Sequence, residues 1–416
     1  MTRSEPIDRR LSDAGLPMLP RTAWLRVDTD VLASNLAALR GLAGPGVAVH
    51  VVVKADAYGH GAVPVSLALE AAGADGFCVA SFDEALELRA GGVRAPVMVL
   101  YAVPAAHVVE AARRGIALTV ADDVLLGRTL DAVAAAHSAG SLRRRVAIHL
   151  QVETGLGRDG IDVASVAAVA RAIRATSGAR LAGVWSHLAA PADRASAGRQ
   201  AAAFAEATGR LATARLRPGP RHIAASGAVL AASVPPHDAV RVGIAAYGIA
   251  PDTVVGDPSV RARLATLGPV ASLHALPVRV AELPAGHGVG YGPSFVTGRT
   301  SRIATLPLGY ADGWWRAFEG APVLVRGRAV PTVGRVSMDS VTVDVTDVPG
   351  PPVTVDDEFV LLGRQGAGAV GIEELARRGD TIAYEVIAML GRRLSRVYDS
   401  ATGTGSIRTL TGEVRR

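Results

Sequence analysis

From about residue 47 onward, short runs of apolar, β-branched residues alternate with longer stretches rich in Ala and Leu. The runs are VHVVV (49–53), GFCVA (76–80), VMVLY (97–101), ALTVA (117–121), VAIHLQV (146–152), LAGVWSH (181–187), HIAAS (222–226) and VRVGIA (240–245). Between them lie helix candidates such as PVSLALEAAG, DEALELRAGG and GRQAAAFAEATGRLATARL. Strands covered on both faces read as continuous apolar runs, and their alternation with helices marks a parallel sheet. Eight such strands in one stretch predict an α/β fold of the (β/α)8 TIM-barrel type. An open doubly wound sheet is the competing layout, but no GxGxxG follows the first strand.

After about residue 262 the rhythm changes. VASLHALPVRVAEL, RIATLPLGY, VLVRGRAV, VTVDVTDV and EFVLLGR are strand-like runs divided by Gly, Pro and Asp turns, with one helix expected at IEELARRG. The chain of 416 residues is also longer than one core usually supports. The expected division is a barrel over residues 21–262 and a C-terminal, mainly β domain over residues 263–416. AWLRVD (23–28) is expected to join the β domain, and residues 1–20 to form a disordered tail.

The net charge of +6 is spread as scattered arginines, and the densest run, Arg143-Arg144-Arg145, has no aromatic neighbours. Nucleic-acid binding is therefore not expected. Cys78 is the only cysteine, which excludes an intrachain disulfide. No apolar segment reaches membrane-spanning length, so a cytoplasmic protein without a membrane partner is expected.

Chemistry concentrates where the barrel strands end, since barrel active sites lie at that rim. Lys54 ends the first run and is the only lysine among 44 Lys and Arg residues. Arginine stays charged, whereas a lysine amine can lose its proton and attack a carbonyl. Arg158 follows the fifth run, His187 ends the sixth, Ser226 ends the seventh, and Arg241 to Ile244 occupy the eighth, with Gly243 allowing close backbone approach. Singly, a rim histidine, a surface arginine or a helix-capping serine would be unremarked. Together, one lysine and a phosphate cradle of Ser226, Gly243 and Ile244 point to a phosphorylated carbonyl cofactor, with pyridoxal 5′-phosphate (PLP) as the candidate. No metal is expected.

The segment VVKADAYGHG resembles the cofactor-lysine segment of the alanine racemases, PLP enzymes of fold type III. The resemblance recurs at ETGLGRDG, WSHL, VRVGIAAYGI, GVGYG, LPLGYADGWWR, VGRVSMDSVTV and IAYEV and covers roughly residues 20–400. It implies an isomerase that interconverts L- and D-alanine as a homodimer with shared active sites. Lys54 would hold PLP as a Schiff base and act as the base on one face of the substrate Cα. Tyr291, supplied by the other subunit, would be the base on the opposite face, because a proton removed from one face must be returned on the other. Arg241 would face the pyridine nitrogen, braced by His222, with His187 on the ring face. Tyr58, Ser226, Gly243, Ile244 and Tyr384 would hold the phosphate. Arg158 and Met338 would take the substrate carboxylate, with Tyr310 nearby.

Two positions depart from the family pattern. Ala225-Ser226 stands where the family usually has Asn-Ser, and Gln151 stands where it carries a lysine modified to a carbamate that orients the arginine matching Arg158. Gln151 alone, Glu153, or a small anion such as chloride are the candidate replacements. An anion or a neutral contact is expected, with activity independent of bicarbonate and a looser Arg158 that admits substrates larger than alanine. A racemase of broader range (serine, for example), a fold type III decarboxylase and a non-catalytic PLP-binding protein remain as alternatives.

Overall fold

The computed structural model describes residues 6–415 except residues 255, 257 and 293. The chain divides into two units, one comprising Leu32–Ala57 and Ala62–Gly268, the other the described residues of Met1–Val31, Tyr58–Gly61 and Pro269–Arg416.

Strand β1 (Ala23–Asp28) belongs to the second unit. Among the described residues the first unit holds eight strands: β2 (Ala48–Val52), β3 (Gly76–Val79), β4 (Val97–Val99), β5 (Ile116–Val120), β6 (Val146–Gln151), β7 (Ala179–Trp185), β8 (Arg221–His222) and β9 (Ala239–Val242). They pair in parallel from β8 down to β2 and then to β9. The Ala225–Arg241 bridge, with the Arg241 N–H donating to Ala224 O at 3.0 Å, joins the two ends into a barrel. Every residue of β3 and of β9 is buried, which is why these strands read as unbroken apolar runs. Of the helices between them, Val166–Ala175 buries one stripe, turning Val166, Val169, Ala170 and Ile173 inward at helical spacing.

The last two barrel strands are shorter than the sequence suggests. Ser226 does not end a strand but opens the helix Ser226–Ala231, and β9 stops at Val242, so that Gly243 and the turn Ile244–Tyr247 lie beyond it. The small residues Ala224, Ala225 and Gly227 carry no β-branch that would keep the chain extended there.

In the second unit β1 lies between β10 (Ala271–Ala275), antiparallel, and the parallel strand Ser395–Ser400. These three strands are part of a larger, mainly antiparallel sheet. The C-terminal segment of this unit begins at Pro269 rather than residue 263, because the helix Pro258–Leu264 remains with the barrel. The helix expected at IEELARRG is present as Ile372–Arg378, and a second, Ala383–Ala388, carries Tyr384. The expected tail needs correction. Residues 1–5 lie outside the described residues, but Ile7–Asp13 forms a helix, α1, whose Ile7 and Leu11 pack with Leu16, Trp24, Val397 and Ile407. Its Arg10 also pairs with buried Asp399. Apolar residues spaced for a single helical face supply the burial that orders the segment.

Candidate active site

Lys54 sits just past β2, where the backbone turns left-handed: Ala55, Asp56, Ala57 and Tyr58 have φ of 52°, 56°, 54° and 52°. For L-residues that conformation costs roughly 1–2 kcal/mol each, so the surroundings must hold it. Ala55 N–H donates to Glu84 Oε1 at 2.6 Å, Ala57 N–H to Val53 O at 2.9 Å, and Ala62 N–H to Asp56 Oδ1 at 2.8 Å. The other Glu84 oxygen accepts from Ala80 and Ser81, so one carboxylate pins two loops of the rim. The part-buried Lys54 amine has its pKa lowered, first by burial and then by the Arg158 charge, against an opposing pull from Glu84. A larger share of neutral, nucleophilic amine follows.

Arg241, on β9, is almost fully buried. Its guanidinium donates to Ser186 O at 2.7 Å and His222 O at 3.0 Å, and it lies 2.6 Å from His222 Nδ1. The Trp185 ring lies against it, 4.6 Å from ring centroid to Cζ. Guanidinium has only donors, so His222 Nδ1 must accept and the proton of that ring sits on Nε2. Burial lowers the Arg241 pKa to about 10, still leaving it charged at neutral pH. Burial and the Arg241 charge hold His222 well below its ordinary value and His187 down at about 3. His149 is likewise held at about 3, chiefly by burial, and its ring lies 5.7 Å from that of His222. Ser226 Oγ accepts the Gly243 N–H at 2.8 Å, tying the start of its helix to the end of β9.

Gln151, at the end of β6, is buried, and its Nε2 donates to Asp159 Oδ1 at 2.6 Å and Asp159 O at 3.2 Å. Arg158 Nε donates to the same Oδ1 at 3.2 Å, and the Arg158 guanidinium lies 5.4 Å from the Tyr101 ring centroid. Glu153 is engaged elsewhere, accepting the backbone N–H groups of Gly155, Leu156 and Gly157. Asp159, the residue next to Arg158 in the chain, thus brings a carboxylate to the Arg158 guanidinium. Sequence spacing hid it because residues 152–161 fold back on themselves, with Ile161 N–H donating to Gln151 O at 2.9 Å.

In the second unit the rings of Tyr58 and Tyr384 lie 6.1 Å apart. Tyr310 N–H donates to Ser337 O at 3.0 Å and Ala311 N–H to Met338 O at 3.1 Å, which engages the Met338 carbonyl. A Cβ on Gly309 would sit 2.1 Å from Ser337 O, so this crossing requires glycine. Tyr291 stands between Gly290 and Gly292, both at positive φ, with 75% of its surface exposed. Cys78 is buried in β3, and burial pushes its thiol up to about 12, far from useful reactivity. Among the described residues no group of three or more His, Cys, Asp or Glu could hold a metal ion, and no helix is long and apolar enough to cross a membrane.

Residues 27–251 match the alanine racemase N-terminal domain and residues 270–398 the alanine racemase C-terminal domain. The chain belongs to the alanine racemase family. Alanine racemases are PLP-dependent isomerases. The alanine racemase of Symbiobacterium thermophilum is 38% identical over 389 residues, 92% of this chain and 98% of that protein. That of Thermobifida fusca is 38% identical over 385 residues, 91% and 98% of the two chains. The crystal structure of alanine racemase from Bacillus anthracis with bound L-Ala-P superposes with a TM-score of 0.86 at 30% identity, covering 95% of this chain and 99% of that one. Alanine racemase from Streptomyces lavendulae gives 0.81 at 36% identity, covering 92% and 98%.

Proposed function

We propose that this protein interconverts L- and D-alanine with PLP, as a homodimer in which each active site takes Lys54 from one subunit and Tyr291 from the other. The observation that carries the proposal is Lys54. The only lysine of the chain lies at the barrel rim, its amine made more nucleophilic by burial, within electrostatic reach of Arg158 and His187.

The donor set fits the cofactor. An aldehyde-bearing aromatic phosphate needs an amine, hydroxyl and backbone donors for its phosphate, a flat neutral neighbour, and a group facing its ring nitrogen. Lys54 supplies the amine, and Ser226, Gly243 and Ile244 are the barrel's candidates for the phosphate. His187, kept neutral at working pH, can pack on the ring, and Arg241 can face its nitrogen. When bound, the cofactor supplies the electron sink that acidifies the substrate Cα–H.

The protein's own groups then divide the work. Arg158 takes the substrate carboxylate by paired N–H donation, which fixes the Cα–H relative to Lys54. Lys54 Nζ removes or returns the proton on one face, and the Tyr291 phenol does so on the other. Arg241, braced by the accepting Nδ1 of His222, would face the ring nitrogen with a guanidinium that does not give up its proton at working pH, a setting that would favour return of the proton to Cα. The exposure of Tyr291 supports a role at a partner's site, since a buried phenol has no reach beyond its own chain. The burial of Cys78 argues against a decarboxylase that would use a cysteine on substrate.

The test is a racemisation assay over a panel of L-amino acids that includes alanine and serine, read as decay of circular dichroism. Borohydride reduction of the loaded enzyme should tag the Lys54 peptide alone. A tag elsewhere, or no loss of optical activity with any amino acid, removes the proposal.

A further inference from the structure

We propose that Asp159 is a positioning residue that supplies the negative charge orienting Arg158, and that Gln151 is the clamp holding Asp159 in place. The inference rests on the reading of Arg158 as the group that takes the substrate carboxylate.

The geometry converges on one atom. Asp159 Oδ1 accepts from Gln151 Nε2 at 2.6 Å and from Arg158 Nε at 3.2 Å. Gln151 Nε2 also donates to Asp159 O at 3.2 Å, so a single amide fixes both the backbone and the side chain of Asp159. Because both partners are acceptors, only the NH₂ end of the amide can face them, which settles its orientation. The opposite end, Gln151 Oε1, is buried and has no hydrogen-bond partner among the described residues. The two bonds at the donor end hold the amide in that orientation. Glutamine thus cannot orient Arg158 directly in this arrangement: its donor end is turned toward Asp159, and a donor cannot serve a guanidinium. The carboxylate can.

The fold explains how adjacent residues come to cooperate. The Val152–Ile161 bridge returns the chain alongside β6, and Gly160 N–H donates to Ala121 O at 3.1 Å, which brings residue 159 over the end of the Gln151 side chain. A Cβ on Gly160 would meet Glu153 N at 2.4 Å, so the return is possible only with glycine there. Binding Arg158 through Nε leaves its terminal NH₂ groups for a ligand carboxylate, and the Tyr101 ring limits the swing of the guanidinium on the other side. The pair is partly exposed, 45% for the Arg158 side chain and 22% for Asp159, so its effect is moderate.

The experiment compares wild type, Asp159→Asn, Asp159→Glu and Gln151→Met, each loaded with PLP. Three quantities are read: KM and kcat for L-alanine, affinity for propionate by calorimetry, and affinity for ethylamine from the cofactor absorbance. Propionate carries only the carboxylate of the substrate and ethylamine only the amine. Asp159→Asn should weaken propionate and raise the alanine KM by about fivefold, the effect of losing one charge-assisted contact at a partly exposed site. Ethylamine should change less than twofold, Asp159→Glu should recover part of the propionate affinity, and Gln151→Met combined with Asp159→Asn should add little to either alone. Equal propionate binding by Asp159→Asn and wild type overturns the proposal. So does equal weakening of propionate and ethylamine together with a lowered melting temperature, which would mark a purely structural role. Loss of propionate affinity on removing chloride from the buffer would assign the charge to a free anion and likewise overturn it. If the propionate split is found but wild type racemises no amino acid, Asp159 keeps its role and the racemase reading fails.

Discussion

Two histidines buried in the barrel interior, His149 and His222, should make the protein acid-sensitive well above the pH at which its carboxylates protonate. Both are neutral in the fold, His149 held at about 3 and His222 well below its ordinary value. In the unfolded chain each takes up a proton near 6.5. The unfolded state therefore binds more protons below that pH, and stability that is fully present above 6.5 is lost as the pH falls toward the folded values. Each missing proton costs about 1.4 kcal/mol per pH unit, so at pH 5 the pair removes about 4 kcal/mol. Against a typical total of about 5–15 kcal/mol that is a large fraction. His50, whose pKa is also lowered chiefly by burial, adds loss of the same sign. The assay is urea unfolding followed by tryptophan fluorescence from pH 7.5 to 5.0 at fixed ionic strength, on wild type and His149→Gln. The wild-type midpoint should fall steeply below pH 6.5, and the variant, with one titrating ring fewer, should lose about 2 kcal/mol less over the same range. A wild-type midpoint flat from 7.5 to 5.0, or parallel slopes in the two proteins, refutes the reasoning.

Lys54→Ala should leave no peptide tagged by borohydride and no racemisation, with the fold retained by far-ultraviolet circular dichroism. Tyr291→Phe should still carry PLP but lose on the order of 10²–10⁴-fold in rate, the usual effect of removing a positioned acid or base, with Cα deuterium exchange of the two enantiomers affected unequally. Mixing inactive Lys54→Ala with inactive Tyr291→Phe should regenerate one complete site per heterodimer, and no recovery after verified subunit exchange would place both bases in one chain. Glu84→Gln should lower the pKa of Lys54 further, since the carboxylate now raises it, and so speed covalent capture of PLP by the apoenzyme at pH 7. A slower capture at an unchanged melting temperature would contradict that sign.

The barrel strands were legible because burial on both faces writes itself as apolar runs, and Lys54 because no second lysine competes with it. Four features were not. The left-handed turn at Ala55–Tyr58 has no glycine to announce it; its backbone is held by Glu84, 29 residues from Ala55 along the chain. Asp159 was invisible as the partner of Arg158 because its role depends on the return of residues 152–161 along β6. Ala224 and Ala225 look like strand continuation, yet the chain leaves the strand at His222 so that Ser226 can open a helix and meet Gly243. Helix α1 is hidden in the sequence because its charged residues outnumber its apolar ones, although Ile7 and Leu11 are enough to dock one turn.

The most direct test of the central claim is to incubate the PLP-loaded enzyme with L-alanine in D₂O, following optical activity and the isotope at Cα together. Two-base racemisation predicts that the optical activity decays to zero and that every alanine, of either hand, comes to carry deuterium at Cα with its carboxylate intact. Release of carbon dioxide, or deuterium entering Cα while the optical activity persists, would contradict it.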